Sequence, residues 1–139
     1  MPIEIAALVR SKCLKLLEYC VELERTLAGA DASRRRAVER LVQLIVEAIA
    51  DMGAALAEGA SLRSPGSTRE AIAIMREAGF YPGEEARRFE ERYVSLRNRI
   101  VHDYEEVDFR LVESNAARLI ADARAIARGL EEKLEEMSA

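Results

Sequence analysis

The 139-residue chain holds one histidine, His102, along with two cysteines, three prolines and seven glycines. These scarcities exclude several classes of protein. Cys13 and Cys20 are seven residues apart in a helical stretch, which sets their backbones about 10 Å apart, beyond the reach of an intrachain disulfide. They are expected to pack as small hydrophobes. One distant imidazole adds too few ligands for a metal site, and neither a metal nor a cofactor is expected. Valine, isoleucine and threonine nowhere alternate with polar residues over a strand's length, so sandwich and barrel architectures are out. No apolar run approaches the roughly 18 residues of a membrane helix. The opening MPIEIAALVR carries Glu4 inside its apolar run and lacks a basic start with a small-residue cleavage site, so no signal peptide and a cytoplasmic location are expected. A net charge of -4 argues against a protein that coats nucleic acid, although it leaves room for a local phosphate site.

What is abundant is Ala, Leu, Glu and Arg, with half the residues apolar and a third charged, the composition of an all-α protein. The length suits one domain, residues 1–139. From Ile3 to about Ala28, apolar residues recur in steps of three and four at Ala6, Val9, Cys13, Leu16, Cys20, Leu23 and Leu27, which predicts one amphipathic helix. Gly29 is expected to end it with positive φ, and Asp31 or Ser33 to cap the next. The second helix, about Arg34 to Glu58, is apolar on nearly all sides between Leu41 and Ala50. It therefore needs cover on more than one face, from bundle neighbours or from a partner subunit. Arg34, Arg35, Arg36 and Arg40 at its start oppose the helix dipole; they form either a solvated surface cluster or a contact to RNA phosphate.

Ser67-Thr68-Arg69-Glu70 has the form of a capping box opening a short helix, which Gly79 ends. A fourth helix from near Glu84 carries its apolar stripe at Ala86, Phe89, Tyr93, Leu96 and Ile100. Asp108 is a candidate N-cap for the last helix, whose stripe runs through Phe109, Val112, Ala116, Leu119, Ala123, Ile126 and Leu130 to about Met137. The predicted architecture is an antiparallel four-helix bundle with one additional short helix.

Candidate chemistry lies in Arg97-Asn98-Arg99-Ile100-Val101-His102-Asp103-Tyr104. A guanidinium holds a phosphate oxygen through paired hydrogen bonds, and an imidazole takes or gives a proton near neutral pH. Arg97 stands about 100° from Leu96, at the border of the buried face with its head expected to be free, whereas His102 is roughly 140° further round an undistorted helix. The two converge on one phosphate only if the helix ends near Val101 and turns His102 back, or if Arg and His of different subunits meet. The structural readings are a helix-end histidine bonded to terminal carbonyls, a surface charge for Arg99, an ion-paired or exposed Asp103, and structural roles for Tyr81 and Tyr93.

Arg97, His102 and Tyr104, with Asn98 after the arginine and Val107-Asp108 beyond, resemble the motif of the HEPN superfamily, and within it the HepT toxins. The resemblance spans about Ala6 to Leu130. It implies a metal-independent endoribonuclease toxin that acts as a homodimer with both motifs lining one cleft. Arg97 and His102 would be catalytic, with Asn98 and Arg99 binding or orienting substrate. It also implies a minimal nucleotidyltransferase antitoxin that transfers AMP to Tyr104 and silences the nuclease. Two histidines from a symmetric dimer would furnish the acid and the base that cleavage by a ribose 2′-hydroxyl uses. The alternative is a non-catalytic HEPN-like module that binds nucleotides or a nucleotidyltransferase partner.

Overall fold

The structure, a computed structural model, describes residues 1–31, 33–102 and 108–138. These residues form α1 (Ile3–Ala28), α2 (Arg34–Gly59), α3 (Thr68–Glu77), α4 (Gly83–Arg88), a π-helical turn (Phe89–Tyr93), α5 (Val94–His102) and α6 (Phe109–Ser138). Because α4, the π-turn and α5 follow one another without a break, they act as a single long element. The fold is thus the expected four-helix bundle with α3 added. Among the described residues no helix is long and apolar enough to cross a membrane.

The predicted stripes are the buried ones. Val9, Cys13, Leu16, Cys20 and Leu23 of α1 face Val38, Val42, Ile45, Ile49 and Leu56 of α2, and the stripe of α6 closes the core through Val112, Ala116, Leu119, Ala123, Ile126 and Leu130. Both thiols are free and buried, and burial pushes them up to about 11. Helix α2 is the central element, packed against α1, α3, α5 and α6. Its all-round apolarity is met by neighbours in the same chain, so it gives no evidence for a partner subunit.

One glycine sets the approach of α3 to α2. A Cβ on Gly53 would stand 2.9 Å from the Ala71 carbonyl oxygen and 3.1 Å from Met75 Cγ, so only glycine lets the two backbones come this close.

The helix ends follow the predictions with three departures. Gly79 does turn the chain with φ +82. Asp108 accepts the Arg110 N–H at 3.0 Å, as an N-cap should. Gly29, however, is extended at φ -78 and ψ 160; its N–H reaches the Thr26 carbonyl at 3.2 Å, so a left-handed residue is not needed. Asp31 contributes by accepting the Ser33 N–H at 2.9 Å, and the Ser33 side chain makes no cap bond. Ser67 Oγ accepts the Glu70 N–H at 3.0 Å, but the Glu70 carboxylate faces Arg63 at 3.9 Å rather than returning to Ser67.

The arginines at the start of α2 divide. Arg34 pairs with Glu113 of α6 and lies 5.4 Å over the Phe109 ring, and Arg35 lies 5.6 Å from the same ring and bonds Glu39 at 3.1 Å. These two fasten α2 to the start of α6. Arg36 and Arg40 are exposed.

Candidate functional site

The site is built on the composite helix from Gly83 to His102, and its phase is set by the π-turn. The Val94 N–H bonds the Phe89 carbonyl, an i to i+5 bond, so one extra residue is held in that turn. Phe89, Glu90, Tyr93 and Val94 consequently all face inward. The Phe89 and Tyr93 rings meet edge to face with centroids 4.7 Å apart.

Two clamps hold the turn. On the α3 side, Arg69 Nε donates to the Glu90 carbonyl at 2.7 Å, and Arg76 donates to the Glu90 carboxylate at 2.7 and 3.1 Å. On the α6 side, Arg88 grips the buried Asp122 carboxylate in two bonds of 2.8 and 2.9 Å, and the Tyr93 hydroxyl donates to the same carboxylate at 2.6 Å. The bond to Asp122 pushes Arg88 up from its ordinary value. Burial, followed by the bond to Asp122, does the same for Tyr93. Tyr81 is likewise structural, its hydroxyl donating to the Ile49 carbonyl at 2.7 Å.

The sequence reading missed these clamps, although one signal was present. Asp122 sits three after Leu119 and four before Ile126, on the core-facing stripe of α6, where an acid requires a buried partner.

Beyond the turn, Arg97 departs from expectation: its head is not free. The side chain is only 13% exposed. Nη2 donates to Thr68 Oγ1 at 2.7 Å, Nη1 stands 3.9 Å from Glu47 Oε1, and Nε is buried with no hydrogen-bond partner among the described residues. Glu47 is itself held by Gln43 at 3.1 Å. Thr68 and Glu47 are therefore the groups that orient this guanidinium. Neither was legible, because they are 29 and 50 residues away from Arg97 in sequence and come from α3 and α2.

Helix α5 runs through His102, so within one chain the histidine is not turned back toward Arg97. Five helical residues separate them by roughly 7.5 Å along the axis and 140° around it. His102 is exposed on the outer side together with Arg99, while Asn98 is half-buried between the two faces. The motif thus splits: Arg97 faces α2 and α3, Arg99 and His102 share the opposite side, and Asn98 lies between. Asp103 and Tyr104 lie outside the described residues. Among the described residues, no group of three or more His, Cys, Asp or Glu side chains is placed to hold a metal ion.

Next to the outer face is an open groove of about 300 Å³ between α5 and α6, lined by Arg92, Ser95, Leu96, Arg99, Leu111 and Asn115.

Comparison with known proteins agrees with the fold. None of the curated proteins matches the chain. Among solved structures, the cytosolic protein YutE of Bacillus subtilis, itself described as of unknown function, superposes with a TM-score of 0.76 at 20% identity, covering 92% of each chain. A tri-AMPylated HEPN toxin from Shewanella oneidensis, solved in complex with its MNT antitoxin, gives a TM-score of 0.75 at 17% identity over 95% of this chain and 99% of that one. A further toxin-antitoxin structure, with AMP-PNP, gives 0.76 at 16% identity over 93% and 98%. At these identities the likeness is one of fold. The family model described as ribonuclease HepT-like matches residues 10–136, nearly the whole chain, and the protein therefore belongs to the HepT-like ribonuclease family.

Proposed function

We propose that the chain is the toxin of a toxin-antitoxin pair, a metal-independent endoribonuclease whose site is completed across a homodimer. The observation that carries this reading is the split of the motif along α5. Arg97 is fixed by Thr68 with donor capacity to spare, and His102 is exposed on the other side, so one chain supplies half a site. A two-fold axis beside the C-terminal end of α5 brings in a second arginine and a second imidazole.

In the proposed reaction the ribose 2′-oxygen attacks the adjacent phosphorus while one imidazole takes the hydroxyl proton. The phosphorus–5′-oxygen bond breaks, and the other imidazole protonates the leaving oxygen, yielding a 2′,3′-cyclic phosphate and a free 5′-hydroxyl. Arg97 offsets charge on the non-bridging oxygens, and Asn98 and Arg99 orient the strand. The partner is a minimal nucleotidyltransferase antitoxin that transfers AMP to Tyr104, adding bulk and negative charge where an RNA phosphate must sit. Two of the structural neighbours are toxin-antitoxin structures, one with an AMPylated toxin, which supports the pairing.

The test is cleavage of RNA by purified protein in EDTA. Wild type is expected to cut and His102→Ala to be inactive; equal behaviour of the two would leave a non-catalytic HEPN-like module. Mass spectrometry after incubation with the nucleotidyltransferase and ATP is expected to find AMP on Tyr104, and an unmodified tyrosine would remove the regulatory part.

A further inference from the structure

The groove between α5 and α6 has no role in the reading above, apart from Arg99. Among the described residues its polar lining is Arg92, Ser95, Arg99 and Asn115, with no carboxylate, in a chain whose 25 acidic residues outnumber its 21 lysines and arginines. Arg92 is exposed and makes no ion pair among the described residues. A third guanidinium, Arg69, reaches the rim by donating from Nη2 to Ser95 Oγ at 3.1 Å. The Asn115 amide nitrogen donates one N–H to the Leu111 carbonyl at 2.8 Å, which leaves its second N–H and the amide oxygen.

The groove is in phase with the histidine. On a regular helix, His102 falls two turns beyond Ser95 and only about 20° from it in projection, whereas Arg97 falls on the far side. A phosphodiester lying against His102 therefore continues into this groove and away from Arg97's own pocket. Arg99 and Arg92 are roughly 10 Å apart along the axis, which gives room for two phosphates of one strand.

We infer that the groove is a flanking-phosphate subsite for single-stranded RNA, in which Arg99 and Arg92 each hold a different phosphate on one side of the scissile bond. Guanidiniums are suited to the bidentate grip, and Leu96 and Leu111 give the floor an apolar surface against which a ribose or base edge rests. The inference rests on the nuclease reading for the placement of the scissile phosphate at His102. The contacts themselves are sequence-independent, as contacts to the phosphodiester backbone are.

The experiment measures binding apart from cleavage. The full chain carrying His102→Ala is titrated with a fluorescein-labelled single-stranded RNA of mixed sequence, and anisotropy is followed over a range of salt. Each phosphate contact in a single strand contributes about 0.7 to the slope of log affinity against log salt. Adding Arg92→Gln or Arg99→Gln is expected to lower the slope by about that amount and to weaken binding alike for unrelated RNA sequences. Arg10→Gln, on the distant end of α1, is expected to change neither.

Unchanged affinity and slope in both groove variants would overturn the inference, as would an equal effect from Arg10→Gln. Loss of wild-type cleavage with a groove-dependent slope retained would remove the nuclease reading and leave the subsite. Cleavage with no groove dependence would do the reverse.

Discussion

Arg88 and Arg97 occupy the same long helical element on either side of the π-turn, and both are largely enclosed, yet they are treated differently. Arg88 meets a buried carboxylate in two short bonds and shares it with a tyrosine. Arg97 receives one hydroxyl, a carboxylate held off at 3.9 Å and, among the described residues, nothing on Nε. A guanidinium has five N–H donors. One that is saturated by a fixed carboxylate is a fastener, whereas one that is oriented and left under-satisfied is prepared to receive another anion. On the proposed function, the difference separates a structural arginine from a catalytic one without reference to any motif.

Substitution is the sharpest way to break this comparison. Arg97→Ala is expected to lower RNA cleavage by about 10²- to 10³-fold, the scale for losing one preorganised stabiliser of transition-state charge, while the melting temperature shifts little. A large loss of stability with activity per folded molecule retained would put Arg97 in the same class as Arg88.

Asp122→Ala should produce the opposite pattern. Stripping a buried pair of one partner costs about 3 kcal/mol, the lower end of the usual range because Arg88 keeps some solvent contact. That corresponds to a melting temperature lower by about 10 °C. Cleavage well below the transition should follow the folded fraction only.

Thr68 gives a finer test. Thr68→Val removes the acceptor for Arg97 at nearly constant volume and is expected to reduce cleavage about tenfold, the scale of one hydrogen bond to a charged group. Thr68→Ser should restore most of it. If the valine and serine variants behave alike, the hydroxyl does not orient the guanidinium.

The smallest effect concerns the thiols. With Cys13 and Cys20 buried and their thiols pushed up to about 11, iodoacetamide at pH 9 should leave the native protein nearly unmodified, since both groups stay protonated until the pH approaches 11. Alkylation should rise in Asp122→Ala and not in Arg97→Ala, so that core opening is read independently of activity.

Much of the fold was legible, and the reason is local. Steps of three and four apolar residues determine which side of a helix is buried whatever packs on it, so the stripes of α1 and α6 could be read before their partners were known. The π-turn was not legible, because Ala86, Phe89, Tyr93 and Leu96 fit an unbroken α-helix equally well. The sequence placed Arg97 at the edge of the core but not what it touches, since Thr68 and Glu47 arrive from other helices. Gly29 shows the limit of a residue preference: glycine permits a left-handed end and does not compel it.

The widened turn at Phe89–Tyr93 also amounts to a single-residue adjustment of phase. Were the segment to close as ordinary α-helix with all its residues kept, Val94–His102 would rotate by about 100°, carrying Arg97 away from Thr68 and swinging His102 off the α5–α6 groove. The motif would stay intact letter for letter. Chains that share these motif residues at the same spacing but lack the widened turn would therefore point the same chemistry in different directions, and aligning the motif alone would conceal it.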